Sequence, residues 1–325
     1  MRAIVLRGPG RISLEDVPDP KPGPGEALIE VRRAGICGTD LQLARGYMSF
    51  TGIPGHEFVG TVREVSSRAD RLLAGTRVAG EINLGCEECA LCAEGMSRHC
   101  RRRRVLGLLS KDGAMAERVT LPVRNLHVVP DTVTDTQAVF IEPAAAALEI
   151  LDQIPVGRGS RVLVLGDGRL GLLAAQALAD RAREVTVEGR HEAKLSLART
   201  LGLATILSGA ARGTDVDPYD IVVEATGSAG GLDTALERVR PRGTVVMKTT
   251  CEGSTPFAAW RAVVDEVTLV GSRCGRFQPA IQALRDGRIK VDGLVTAELP
   301  LEQGVEGFRL AAERGTLKVI LHAGD

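Results

Sequence analysis

Residues 161–180 read RVLVLGDGRLGLLAAQALAD, and the fold follows from the change of character in the middle of that stretch. RVLVLG (161–166) is a short aliphatic run of the kind found in strands buried on both faces. LGLLAAQALAD (170–180) is built from Ala and Leu, strong helix formers. Between them Gly166, Gly168 and Gly171 keep the spacing G-x-G-x-x-G. At a strand-to-helix junction each glycine has a physical task. The first makes the tight turn, the second admits a pyrophosphate to the backbone, and the third lets helix pack closely on strand. The helix start, with Arg169 and Leu170, turns free N–H groups towards the phosphates. The stretch predicts a dinucleotide site.

The same alternation continues on both sides. The Ala-rich EPAAAALEILDQI (142–154) has helical composition, EVTVEG (184–189) reads as strand and HEAKLSLARTLG (191–202) as helix. Strand-like runs recur at 219–227, 243–250 and 267–272. Strand alternating with helix at this pitch predicts βαβ units and a doubly wound parallel sheet over residues 144–289. Cofactor choice should be set at the end of the second strand, about twenty residues beyond the glycines. If Glu188 occupies that position it holds the ribose 2′-hydroxyl of NAD. If Gly189 does, Arg190, with His191 or Lys194, meets the 2′-phosphate of NADP. Counting back from the helix at 191–202 favours Gly189, and so NADP.

Before residue 144 the texture is β. Residues 2–6, 27–32, 58–65, 76–82 and 115–121 read as strands, and PDPKPGPGE (18–26) cannot be helical. The last stretch, 290–325, with a helix over 301–315 and a strand over 317–322, reads as a return to this first domain of 1–143. At 325 residues the chain is long enough for two domains with separate cores. Forty-one basic residues balance forty-one acidic ones, so no global charge draws the chain to nucleic acid or a membrane surface. No apolar run approaches the ~20 residues of a spanning helix. The opening MRAIVLRGPG is too short for a secretion signal, and thiols without one point to the reducing cytoplasm.

Four of the seven cysteines, Cys86, Cys89, Cys92 and Cys100, fall in one lobe at 84–104, with intervals of two, two and seven residues. Four thiolates at that spacing suit a tetrahedral, closed zinc site. Such a site does no chemistry. Arg101–Arg104 follow directly and read as a solvated face. Earlier lie Cys37-Gly38-Thr39-Asp40 and Gly55-His56-Glu57. Cys37 and His56 offer soft and borderline ligands for a second, open zinc site that needs one more protein donor.

In order along the chain, AGICGTD (34–40), GHEFVG (55–60), the four-cysteine lobe, FIEPAAAA (140–147) and GDGRLG (166–171) resemble the zinc-containing medium-chain dehydrogenases/reductases, the family of alcohol, sorbitol and threonine dehydrogenases. The resemblance covers essentially the whole chain. It implies a Rossmann domain beside a mostly β, GroES-like catalytic domain with a Cys₄ zinc lobe. It implies two zinc ions per chain, one structural and one catalytic, the latter held by Cys37, His56 and Glu142 of the E-P motif. Thr39 would take the substrate proton, Asp40 would orient the ligand His, and Glu57 would lie beside the metal. Thr226, in EATG, matches a loop near the cofactor, and Lys248 is a weaker match. The implied reaction moves a hydride between an alcohol or polyol carbinol, or its carbonyl, and NAD(P), in a homodimer or homotetramer.

One position departs from the family. Many relatives carry a proton-relaying His five residues after the ligand Cys, and this chain has Gln42, which cannot titrate near neutral pH. Two other readings stand beside the dehydrogenase: a nucleotide-binding regulatory or redox-sensing protein without turnover, and a zinc-free quinone or enoyl reductase. Retained Cys37, His56 and Glu142 disfavour both. Cys251 and Cys274 read as free core or loop thiols. Tyr47, Phe50 and Phe277 are the rings available to line a substrate pocket.

Overall fold

The strand Arg161–Leu165 stands third in a six-stranded sheet of order Ala204–Leu207, Glu184–Gly189, Arg161–Leu165, Tyr219–Glu224, Val239–Met247, Thr268–Gly271. Every neighbouring pair is parallel. Numbered along the chain this is 3-2-1-4-5-6, the doubly wound Rossmann order. The order reverses between Arg161–Leu165 and Tyr219–Glu224, so the crevice at their carboxyl ends is where a ligand binds. This computed structural model describes residues 1–209, 218–250 and 255–323.

Packing explains why the opening stretch is so legible. Val162, Leu163 and Val164 are fully buried, as are Leu172, Leu173, Ala174, Ala175 and Leu178 on the helix Arg169–Ala179. Each buried Leu or Val contributes about 1.5–3 kcal/mol. Gly171 is where that helix touches its strand: a Cβ there would sit 2.1 Å from the Gly166 carbonyl oxygen. The sheet's last strand begins at Thr268, and its first, Ala204–Leu207, is an edge with no fully buried residue. The helices Gly231–Arg238 and Phe277–Arg285 complete this unit without having been read from the sequence.

The chain divides into two units, Met1–Glu142 with Leu294–Asp325, and Pro143–Gly293. The first is built on a seven-stranded sheet. Its path runs Val295–Pro300, Lys318–His322, Glu26–Gly35, Glu57–Val65, Arg77–Gly80, Leu126–Val128, and Arg118–Pro122 also pairs with Glu26–Gly35. Pairing is antiparallel except between Val295–Pro300 and Lys318–His322. Lys318–His322 lies against the end of Glu26–Gly35, with Ile320 opposite Gly35. The cysteine lobe is an excursion held by the two-residue strands Asn83–Leu84 and Arg104–Val105. Among the described residues no helix is long and apolar enough to cross a membrane.

Candidate metal and nucleotide sites

In the lobe, Cys86 lies on a loop and Cys89 caps the short helix Ala90–Ala93, which carries Cys92. Cys100 follows the turn Ser97–His99 and is buried. The sulfurs stand 3.5 Å apart for Cys86–Cys100, 3.6 Å for Cys89–Cys92 and 3.7 Å for Cys89–Cys100. A disulfide would need about 2.05 Å. Four thiolates at about 2.3 Å from one tetrahedral centre stand about 3.8 Å apart. The donor set fits zinc. A backbone N–H bonded to Cys86 draws its thiol down to about 6, while the neighbouring sulfurs push Cys89 up to about 11 although the backbone N–H of Cys92 favours its thiolate. Of the arginine run, Arg103 donates to the Cys100 carbonyl at 3.1 Å, and exposed Arg102 pairs with Glu88 at 3.3 Å. The run supports the lobe surface.

A second donor group forms where two strands end. Cys37 caps the helix Gly38–Ala44 just beyond Glu26–Gly35, and His56 immediately precedes Glu57–Val65. Cys37 Sγ, a ring nitrogen of His56 and a carboxylate oxygen of Glu57 lie within 4.8 Å of one another. Asp40 ties the two chain segments together: its carboxylate accepts from the Cys37 N–H at 2.7 Å and the Gly55 N–H at 3.3 Å. Its Oδ1 lies 3.5 Å from His56 Nδ1, and both residues are buried. Burial alone would lower the His56 pKa. The Asp40 and Cys37 charges outweigh it and hold the imidazole well above its usual range. His56 Nδ1 has no hydrogen bond. Thr39 Oγ1 stands 3.9 Å from Cys37 Sγ.

The carboxylate beside these two donors is Glu57, which follows His56 directly, so forming the strand delivers both to one place. Glu142, expected from the sequence as the third donor, is the second residue of the helix Ile141–Gln153 and is half-buried. Glu57 has a partner that no sequence motif announced. Lys318 Nζ binds its Oε2, with the two side chains 0% and 1% exposed, and stands 5.6 Å from the Phe140 ring centre. A lysine is almost never fully buried unless paired. Gly35 gives the pair its room, since a Cβ there would lie 2.6 Å from both Glu57 Oε2 and Val139 Cγ1. The only local signal was a single charge opening the apolar run KVILH.

In the other unit a pocket of ≈ 790 Å³ opens at the sheet's switch point. Gly166, at φ +119°, forms its floor and donates to the Glu188 carbonyl at 2.8 Å. A Cβ at Gly166 would strike the Ala225 carbonyl oxygen at 2.4 Å, whereas one at Gly168 would meet nothing within 4 Å. Turn, open approach and close packing thus fall on the three glycines in order, and the cradle fits a pyrophosphate. Arg169 and Leu170 begin the helix outside the lining. Thr226 and Ser228 line the far wall. Buried Glu224 fixes that wall by accepting from Thr226 N–H at 2.9 Å, Thr226 Oγ1 at 2.6 Å and Thr249 Oγ1 at 2.8 Å. Lys248 lies beneath, donating to the Ala146 carbonyl at 2.7 Å, the Arg273 carbonyl at 3.0 Å and Ser272 Oγ at 3.1 Å.

At the end of the second strand, Glu188 presents its side chain to the pocket. Gly189 lines it too, but its Cβ direction is filled by Asp167, 2.4 Å from where a Cβ would be. Asp167 accepts from the His191 N–H at 2.7 Å and faces the ring Nδ1 at 3.0 Å. Arg190 is exposed on the lining. Of the rings expected for a substrate pocket, Phe50 is buried with Leu6 and Leu43, Tyr47 packs half-buried against them, and Phe277 is buried. Cys274 is half-buried and in no disulfide, and Cys251 lies outside the described residues.

Comparison with known proteins agrees with this geometry. Residues 23–131 match the alcohol dehydrogenase GroES-like domain, and 137–322 match the glucose dehydrogenase C-terminus. The chain is 30% identical, over 99% of its length and 97% of the other, to the erythritol/L-threitol dehydrogenase of Mycolicibacterium smegmatis. It superposes with a TM-score of 0.92 on a short chain alcohol dehydrogenase of E. coli CFT073 complexed with NADH, at 25% identity and 99% coverage of both chains. A putative zinc-binding dehydrogenase of Sinorhizobium meliloti bound to NADP gives 0.91, at 29% identity and the same coverage. With both family models matched in order and a Rossmann sheet joined to a GroES-like unit with its cysteine lobe, the chain belongs to the zinc-containing medium-chain dehydrogenase/reductase family.

Proposed function

We propose that this chain is a zinc-dependent oxidoreductase that transfers a hydride between the carbinol carbon of an alcohol or polyol, or the corresponding carbonyl, and NAD(P). The observation that carries the reading is the convergence of half-buried Cys37 with buried His56 and Glu57. A regulatory nucleotide binder has no use for three convergent metal donors, and a zinc-free reductase has none. The 30% likeness to an erythritol/L-threitol dehydrogenase supports a small polyol as substrate.

The chain's own residues account for the steps around the reacting atoms. Cys37 and His56, with Glu142 as the third donor and Glu57 beside them, would hold the catalytic zinc, and the four lobe cysteines the structural one, two ions per chain. Zinc bound in an open site supplies Lewis acidity that lowers the pKa of a substrate hydroxyl, and the nicotinamide supplies the hydride acceptor. Thr39, 3.9 Å from Cys37 Sγ, would accept the proton of that hydroxyl. Asp40, 3.5 Å from His56 Nδ1, would orient the ring, as partners of ligand histidines do. Lys318 balances the Glu57 charge and keeps its carboxylate in one place. Gln42 cannot carry the proton onward by titrating, which leaves Thr39 to pass it to water or a ribose hydroxyl.

Zinc analysis with a polyol screen tests the reading. Two zinc ions per chain and NAD(P)-dependent oxidation of at least one C4–C6 polyol are expected. A single zinc, retained by the Cys37→Ser variant, with no alcohol oxidised, would overturn it.

A further inference from the structure

Glu188 is the carboxylate placed to meet an adenosine ribose, yet it does not face the pocket alone. Arg238, the last residue of the helix Gly231–Arg238, brings Nη2 to 3.1 Å from Glu188 Oε2, and both residues line the pocket. The two side chains are withdrawn from water, 20% and 11% exposed respectively. Neither facing atom makes a hydrogen bond, so the contact is Coulombic and undirected. The other Glu188 oxygen receives the Ser208 hydroxyl at 3.4 Å. Gly189 can add nothing, because Asp167 fills its outward direction.

We propose that Arg238 sets the choice of cofactor: by neutralising Glu188, it turns a strand end whose carboxylate would select NAD into one that admits the 2′-phosphate of NADP against Arg190. The inference rests on the nucleotide-linked reading above. A free carboxylate at this position accepts from the ribose diol of NAD and repels the extra phosphate of NADP. A guanidinium in ion contact cancels that repulsion, and the low exposure of the pair limits screening by salt. Arginine suits the task because it stays charged at every working pH. The other acidic groups on the lining have cations near them as well: Asp167, which also bonds the His191 backbone N–H, has Lys194, and Glu237 has Arg261 at 3.7 Å. Arg190 is left as the exposed cation beside the ribose position.

Calorimetric titration of the zinc-loaded full chain with NADPH and NADH separates the outcomes. The natural sequence should bind NADPH more tightly. Arg238→Met should weaken NADPH binding by about tenfold or more, equivalent to about 1.4 kcal/mol, and leave NADH as tight or tighter. Arg238→Lys should keep the preference, and Glu188→Gln combined with Arg238→Met should restore it. Glu188→Gln alone, a near-isosteric change, should sharpen it. The inference is overturned if NADH binds more tightly to the natural sequence, or if Arg238→Met weakens both nucleotides equally. If neither nucleotide binds the natural sequence, the dehydrogenase reading falls and the inference with it. If both bind and the ratio ignores Arg238, only the inference falls.

Discussion

The two donor groups of the first unit are built in opposite ways. The lobe gathers four thiols from one stretch of fifteen residues, and its walls are its own loop. The Cys37 group takes its donors from two strand ends and its balancing charge from Lys318, 261 residues beyond Glu57. Closing a short loop on an ion costs little chain entropy, so the lobe can form on its own terms. The other group exists only when the seven-stranded sheet exists. A self-contained site answers to local spacing, and a site assembled by the fold answers to the whole unit.

Breaking the assembled group should give the largest effect. Cys37→Ser or His56→Ala removes the Lewis acid, worth several kcal/mol of transition-state stabilisation, so turnover should fall by about a thousandfold or more. Circular dichroism and nucleotide titration should find the variants folded and binding, with one zinc lost. Retained turnover would dissolve the contrast between the two groups. Breaking the lobe should act on stability instead. Zinc holds comparable peptides with about 10–16 kcal/mol, so Cys92→Ser should lower stability by more than about 5 kcal/mol, read as a lower melting midpoint and rapid proteolysis within 84–104. An unshifted midpoint would argue that the lobe holds no metal.

Lys318→Met should come next. Leaving the buried Glu57 carboxylate unpaired costs about 3–5 kcal/mol, measured by denaturant unfolding. Because that carboxylate then lacks its counter-charge, zinc at the Cys37 group should also resist chelators longer, while release from the lobe stays unchanged. The smallest effect is one of pH. In the metal-free protein the raised His56 pKa means that the charged imidazole stabilises the fold below about pH 6.5, and this contribution is lost as pH rises through the folded value. Protons therefore compete with zinc for His56. On acidification the Cys37 group should lose its ion before the lobe does, which zinc analysis after dialysis at stepped pH would show. Simultaneous loss would mean the two sites are not independent.

Legibility follows the same division. The junction at 161–180 was readable to within a residue at each end, because buried strand, glycine turn and apolar helix each leave a local mark. The edge strand Ala204–Leu207 left none, having no buried face to impose a pattern. The helix Gly231–Arg238 was also missed, and with it the pocket residue Arg238. Cys37 and His56 were readable as a donor pair, and the fold brings them together. That Glu57 stands with them was less legible, because it depends on where a strand begins in space. Counting back from the helix favoured Gly189 over Glu188, but that Asp167 fills the direction a Gly189 side chain would take shows only in the fold. Lys318 and Arg238 lie far along the chain from the acids they balance, and no short pattern links such pairs.

The split make-up of the first unit has a consequence for how the protein is made. Chains emerge from the ribosome from the N-terminus, and domains usually fold as they appear. Here Met1–Glu142 emerges first but lacks its closing strand, while Pro143–Gly293 is continuous and complete as soon as it is out. The strand Lys318–His322 carries the ammonium for Glu57 and is synthesised only after that second unit. The unit begun first is finished after the one that interrupts it. Its Cys37 group stays without the Lys318 charge until then, so the nucleotide pocket of the second unit can form before the first unit's donor group is complete.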